Sequence, residues 1–188
     1  GEEGLGIRQS VRGLFAFHGS AVDTERGVVL FVGESGAGKS TLTKALVQNG
    51  YRMLADDVSV VEFDESGTPL VFPAFPQLKL WEDALQQLGI PKSGLPFVTT
   101  GMNKYRLPIR DAFVQFPQPL RAIYHLFPAE QPEIEIRELA GVEKMEVLFF
   151  NKYRGIGIDI FDLKKVHFAF CARIAGLIPV KRILRPAT

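Results

Sequence analysis

An apolar run, GVVLFV at residues 27–32, is followed at once by GESGAGKS at residues 33–40. The run predicts a strand buried on both faces, and STLTKALVQ at residues 40–48 has the apolar spacing of a helix. Glycine is costly to order and contributes no packing, so three glycines between a strand and a helix need a physical reason. They predict a loop whose backbone adopts angles, or approaches a ligand, in ways that a side chain would prevent.

The loop matches the pattern G-x-x-x-x-G-K-[ST] at Gly33, Gly38, Lys39 and Ser40. Successive amides of such a loop form a cradle for an anion, and the helix that follows points its positive end at the same place. The lysine can reach the β- and γ-phosphates of a nucleotide, and the serine hydroxyl can bind Mg²⁺. The pattern therefore predicts a site for ATP and Mg²⁺ formed by Gly33, Glu34, Ser35, Gly36, Ala37, Gly38, Lys39, Ser40 and Thr41.

Two aspartates, Asp56 and Asp57, follow the next predicted strand, YRMLA at residues 51–55. Ligands of α/β sheets bind outside the carboxyl ends of the strands, so these side chains are expected to face the same crevice as the loop. Phosphoryl transfer needs a metal ligand and a group that orients or deprotonates the nucleophile. Adjacent carboxylates beside a phosphate loop could divide these two tasks.

The rest of the chain predicts further strands and helices, with no repeat or low-complexity tract. We predict one α/β domain over residues 1–188 with a phosphate loop and a mixed sheet. Residues 90–102 contain two prolines and two glycines without any period, which predicts a mobile loop, either a lid or a disordered segment. The other predicted elements are strands at 13–22, 122–127 and 133–139, a hairpin at 57–76, and helices at 80–89, 142–150 and 166–177.

Composition limits the classes of partner. The net charge is only +1 over 188 residues, which argues against nucleic acid because its binders usually carry a strongly basic face. No apolar run has the length of a membrane span, so no membrane partner is expected. Cys171 is the one cysteine, which excludes an internal disulfide and fits a cytoplasmic location.

Other classes of phosphate-loop protein fit less well. An ABC-type ATPase needs a signature near LSGGQ and an apolar strand ending in Asp-Glu far downstream, and we find neither. A GTPase needs an NKxD-type motif, and NKYR at 103–106 and 151–154 has arginine in place of the aspartate. The short spacing from the loop to an acidic strand end indicates a kinase instead. A kinase acting on a small-molecule hydroxyl and a nucleotide-binding sensor or scaffold without transfer activity remain open alternatives.

The run FHGSAVDTERGVVLFVGESGAGKSTLTKALVQNGYRMLADDVSVVE, residues 17–62, resembles the kinase core of the HPr kinase/phosphorylase family. The matching elements are His18-Gly19, the buried strand, the phosphate loop and NGYRMLADD. The resemblance implies a phosphate-loop core related to phosphoenolpyruvate carboxykinase. It also implies an ATP-dependent serine kinase that forms homo-oligomers, since members of the family assemble into rings.

The same resemblance implies roles for individual residues. Asp56 would be the general base that takes the proton from a serine hydroxyl. Asp57 and Ser40 would serve Mg²⁺, and Lys39 would contact the transferred phosphate. His18 would lie beside the loop.

The sequence departs from the family at Thr41, where glutamate is usual, and within residues 1–188 we find neither the glycine- and asparagine-rich downstream stretch nor a match to the family's separate N-terminal domain. It is more similar to short, stand-alone kinases related to the family, some of which phosphorylate a serine of a precursor peptide. We therefore expect the acceptor to be a serine of a peptide or small protein, with a lasso-peptide-type precursor as one candidate.

Several other polar residues are considered for a role in the site because of their residue type. His125 and His167 lie on apolar segments and are predicted to be packing residues. The candidates for an additional cation that stabilises the transferring phosphate are Lys104, Arg106, Lys152 and Arg154. Lys79 could meet substrate or phosphate, but it is predicted to be a solvated surface lysine.

Overall fold

Ten strands and four helices make up the computed structural model, which describes residues 15–153 and 161–187. The strands are β1 (Ala16–Thr24), β2 (Gly27–Val32), β3 (Arg52–Ala55), β4 (Val58–Phe63), β5 (Pro69–Val71), β6 (Gln77–Trp81), β7 (Lys104–Pro108), β8 (Gln118–Ala129), β9 (Glu135–Glu138) and β10 (Val180–Pro186). The helices are α1 (Lys39–Gln48), α2 (Glu82–Gln87), α3 (Gly141–Phe150) and α4 (Phe161–Leu177).

The main sheet has eight strands and is mixed, which confirms the predicted fold class. Strand β8 pairs in parallel with both β2 and β10, whereas the other pairs are antiparallel. The pairings among β2, β1, β4, β5 and β8 return to β2, so this part of the sheet closes on itself. This part of the sheet therefore differs from an open α/β sheet.

Strand β1 lies between β2 and β3 and is antiparallel to both. Strands β2 and β3 consequently run in the same direction, as is usual for two strands joined by a helix. Their carboxyl ends, Val32 and Ala55, lie at the same edge of the sheet. This arrangement brings the glycine loop and the two aspartates together, as the Ser40–Asp56 hydrogen bond shows.

One large apolar cluster packs the main sheet against two helices. It joins the sheet to helices α3 and α4 through side chains that are at most 1% exposed, among them Phe17, Leu30, Ile123, Leu148 and Ile174. Burial of each such side chain contributes about 1.5–3 kcal/mol. The strand ends that carry the site are therefore held by a well-packed core.

A separate two-stranded sheet, β6 paired with β7, carries α2 and a second apolar cluster. The prediction of a helix at 80–89 is wrong at its start, because Leu80 and Trp81 belong to β6. These two residues lie opposite Tyr105 and Lys104 of β7. Side chains of β6 alternate between buried and half-buried positions, which is the period of a strand. Sequence analysis also misses β7 and β10.

The irregular stretch at 90–102 is held against β7. The Val98 amide donates to the Lys104 carbonyl (2.8 Å), and the Arg106 amide donates to the Pro96 carbonyl (2.9 Å). Partly buried Ile90 and Leu95 pack against the second apolar cluster. The absence of regular structure is confirmed, while its role as a lid stays a prediction.

Candidate active site

Three glycines give the phosphate loop its shape. Gly33, Gly36 and Gly38 have φ angles of +147°, +83° and +100°, a region that side chains disfavour. At Gly33 a Cβ atom would also lie 2.7 Å from the carbonyl oxygen of Leu126 on the neighbouring β8. The glycines therefore allow both the turn and the close approach of the loop to β8, as the sequence predicts.

Helix α1 begins directly at this loop, and its first amides are free of helical acceptors. Gly38 is the N-cap and provides no side-chain cap, and the first helical bond is from the Leu42 amide to the Gly38 carbonyl (2.9 Å). The amides of Lys39, Ser40 and Thr41 thus have no acceptor within the helix. Together with the helix dipole they form a donor set that fits a phosphate.

The ammonium of Lys39 lies across the loop that precedes it. Its Nζ donates to the carbonyl oxygens of Gly33 and Glu34, both at 2.7 Å, and the residue is only 7% exposed. Burial lowers the pKa of Lys39, although the charges of Asp56 and Asp57 oppose this shift. A charged donor is therefore held against the backbone of the loop.

Asp56 connects the acidic strand end to the phosphate loop. Its Oδ1 accepts hydrogen bonds from the Ser40 hydroxyl (2.8 Å) and from the Ser20 hydroxyl of β1 (2.6 Å). Its Oδ2 accepts from the backbone amide of Lys79 (2.8 Å). The carboxylate is thus oriented by three donors, and Ser20 is a site residue that sequence analysis misses.

Asp57 forms a second group with Lys79 and His18. Lys79 Nζ donates to Asp57 Oδ2 at 2.8 Å, and His18 Nδ1 lies 2.9 Å from the Asp57 carbonyl oxygen and 3.6 Å from Oδ1. Burial by itself raises the pKa of Asp57, but Lys79, His18 and Lys104 outweigh it and hold this pKa below its usual value. The backbone of Asp57 has φ +71°, the one positive value for a non-glycine residue in the described ranges.

The candidate cations divide into two sets. Lys79 belongs to the site, and the charge of Lys104, which lies over the Trp81 ring at 5.3 Å, acts on both Lys39 and Asp57. Arg106 instead donates to the Val98 carbonyl, and Lys152 lies over the Phe149 ring. Arg154 is outside the described residues.

Arg185, from the end of β10, is a cation beside the loop that sequence analysis misses. Its Nε donates to the carbonyl oxygen of Ala37 at 2.9 Å. The guanidinium is also 3.7 Å from the point where a Cβ of Gly38 would lie. No local sequence pattern indicates a role for this residue, and the strand that carries it is not predicted.

A cleft of about 700 Å³ opens on the β8 and β10 side of the loop. His125 lies in its wall next to Val32, and Arg182 Nε donates to His125 Nδ1 at 3.1 Å. Arg182 also donates to Glu143, whose pKa is lowered to about 2, first by the hydrogen bonds from Arg137. The prediction that His125 is a packing residue is therefore incomplete: it is buried, yet it lines a cleft.

Burial of His125, helped by the charges of Arg182 and Lys39, lowers its pKa from 6.5 to about 4. The unfolded chain then binds more protons than the folded one between these values, so the fold loses up to about 3 kcal/mol as pH falls from 6.5 to 4. We expect His125→Gln, which keeps an acceptor for Arg182, to flatten this part of the pH profile. Urea unfolding across the range measures it, and parallel profiles for parent and variant would contradict the assignment.

Magnesium fits the side chains present. Within residues 15–153 and 161–187 no group of three His, Cys, Asp or Glu residues could hold a metal ion. Mg²⁺ does not require one, since it is usually bound by one or two carboxylates together with substrate phosphates. Metal binding by Ser40 and Asp57 stays a prediction, and the Ser40 hydroxyl contacts Asp56 while Asp57 accepts from Lys79.

Across the described residues, no helix has the length and apolar character needed to cross a membrane.

Comparison with known proteins tests the resemblance to the HPr kinase/phosphorylase family. No family model matches the chain. Three curated relatives named HPr kinase/phosphorylase, from Prosthecochloris aestuarii, Chlorobium phaeobacteroides and Chlorobium phaeovibrioides, are 47% identical over 45 residues. The match spans 24% of this chain and only 13 to 14% of the relatives' length.

Among solved structures, the HPr(Ser) kinase/phosphatase from Coxiella burnetii covers 91% of this chain and 85% of its own, with 17% identity and a TM-score of 0.45. The curated matches confirm the resemblance to HPr kinase/phosphorylases over 45 residues of the chain.

Proposed function

We propose that this protein is an ATP- and Mg²⁺-dependent kinase that transfers the γ-phosphoryl group to a serine hydroxyl of a peptide or small protein. The observation that carries the proposal is the hydrogen bond from the Ser40 hydroxyl to Asp56 (2.8 Å). It joins the end of a phosphate-binding loop to a carboxylate that is already turned toward hydroxyl groups. A phosphate site and a candidate base thus lie within one hydrogen bond of each other.

Charge stabilisation would come from groups on both sides of the loop. Amides of the loop and of the first turn of α1 would hold the phosphates, and Lys39 would leave its carbonyl partners to meet them. Bound Mg²⁺ supplies neutralisation of the charge on the β- and γ-phosphates. Donors that are already in position lower the barrier to phosphoryl transfer, because they need not reorganise when negative charge develops in the transition state.

The two aspartates suit different tasks. The Ser40 hydroxyl donates a hydrogen bond to Asp56, which leaves the lone pairs of the serine oxygen for a metal ion. Asp57 is held ionised by Lys79, and a low pKa suits a metal ligand better than a base. Asp56 would orient the acceptor hydroxyl and receive its proton as the phosphoryl group transfers.

Support for a macromolecular acceptor comes from the relatives, which are named for HPr. The experiment is transfer of labelled phosphate from Mg-ATP to three sets of acceptors: HPr, serine-ending precursor peptides and small alcohols. Label on a peptide or protein, absent with Asp56→Asn, would support the proposal. Label only on an alcohol would make the protein a small-molecule kinase. ATP binding without any label would favour a nucleotide sensor.

A further inference from the structure

Two regions of the surface border the phosphate loop. Asp56 and Asp57 follow β3, beside β1, whereas the 700 Å³ cleft is lined mainly by β8, Arg182 of β10 and the end of α3. Its wall reaches the aspartate side at Asn151, whose carbonyl accepts from the His18 amide (2.7 Å). A nucleotide on the loop, with its transferable phosphate toward the aspartates, continues away from them. We propose that this cleft binds the nucleoside, with the base against Phe127 and Phe150. The inference rests on the proposed function, since it places the remainder of the same nucleotide.

Size and position agree with this role. The volume lies within the roughly 300–1,000 Å³ of small-molecule sites. Loop residues Ser35, Gly36 and Ala37 form one wall, so the cleft is continuous with the phosphate cradle. At Gly36 a Cβ would meet no atom within 4 Å, which shows that this side of the loop is open.

Two aromatic side chains are exposed in the cleft wall. Phe150, the last residue of α3, is 72% exposed, and Phe127 of β8 is 46% exposed. The Arg182 guanidinium lies over the Phe127 ring, 5.4 Å from its centre, which helps to orient that ring. Exposed phenylalanines lose little freedom on binding and offer flat surfaces on which a base of any type can stack.

The polar groups suit an uncharged ribose and base. A guanidinium cannot accept a hydrogen bond, so His125 Nδ1 is the acceptor from Arg182 and the neutral ring carries its proton on Nε2. That N–H has no partner among the described residues and is a donor for a ribose or α-phosphate oxygen. The carboxylates of Glu34 and Glu146 also border the cleft. They disfavour a second phosphate there, but they can accept from ribose hydroxyls or an exocyclic amine.

The test compares binding of Mg-ATP with binding of inorganic tripolyphosphate by calorimetry. Phe150→Ala is expected to weaken ATP binding by about tenfold through lost stacking and to leave tripolyphosphate binding unchanged. Retained tripolyphosphate binding also shows that the variant is folded. Phe116→Ala is the matched control, because Phe116 is equally exposed (71%) and precedes the other end of β8.

The outcomes separate the two proposals. Unchanged ATP affinity in Phe150→Ala, in a protein that binds ATP, would overturn the nucleoside site and leave the kinase proposal standing. Equal weakening of both ligands would likewise overturn it, since the effect would then be on the phosphate cradle. A parent protein that binds neither ligand would overturn both proposals.

Discussion

Replacement of Lys39 by alanine is expected to lower the rate of phosphoryl transfer by at least about a hundredfold and to weaken ATP binding. Lys39 is the buried ammonium that crosses the loop, bonded to the carbonyls of Gly33 and Glu34 at 2.7 Å. Without it, only the loop amides would bind the phosphates. The negative charge of the transition state would then lose the stabilisation that the Lys39 ammonium provides. Steady-state kinetics and ATP calorimetry measure the two effects.

Lys44→Ala is the matched control because Lys44 lies on the same helix, α1, away from the loop. It removes the same side chain and is expected to leave both quantities unchanged. Removal of Lys39 also leaves two loop carbonyls without their donor, so urea unfolding of each variant must accompany the kinetics. If a folded Lys39→Ala protein binds ATP and transfers phosphate like the parent, the loop is not a phosphate cradle.

The parts of the site that sequence predicts are those encoded by short stretches. The loop pattern depends on glycines, a lysine and a serine within eight residues, and α1 and β3 follow it with clear periods. Their meeting at one edge follows from the directions of two strands joined by a helix. The Ser40–Asp56 bond spans 16 residues and lies inside this unit.

The parts that sequence does not predict are brought in by distant strands. Ser20 reaches Asp56 across 36 residues because β1 lies between β2 and β3, and Arg185 reaches Ala37 across 148. Lys79 is expected to be an ordinary surface lysine, but β6 places its amide on Asp56 and its ammonium on Asp57. Strand pairing of this kind depends on the partner strand, so no window of sequence contains the information.

His125 shows a second limit of sequence interpretation. An isolated histidine on an apolar strand predicts packing, and burial at 9% exposure agrees. Its contact with Arg182 depends on the parallel register of β10 and β8, which places Arg182 opposite His125. Burial and pairing together, rather than residue type, make it part of the cleft.

Asp56→Asn is expected to keep ATP affinity and to lower phosphoryl transfer by about 10²–10⁴-fold, the range of a general base. The amide keeps an oxygen for the Ser40 and Ser20 hydroxyls, but it cannot take a proton. Its NH₂ group would face the Lys79 amide, which now donates to Asp56 Oδ2 at 2.8 Å. Loss of that bond reduces stability by about 1.5–3 kcal/mol, so the unfolding free energy is measured alongside transfer.

Asp57→Asn separates the base from the metal ligand. If Asp57 serves Mg²⁺, its amide variant should need a higher Mg²⁺ concentration for half-maximal transfer, and saturating Mg²⁺ should restore much of the rate. Asp56→Asn should respond differently, because no Mg²⁺ concentration replaces a missing proton acceptor. Rescue of Asp56→Asn by Mg²⁺, with Asp57→Asn beyond rescue, would exchange the two roles. That outcome would also fit the structure's hydrogen bond between Ser40 and Asp56, since the two groups would then share the metal ion.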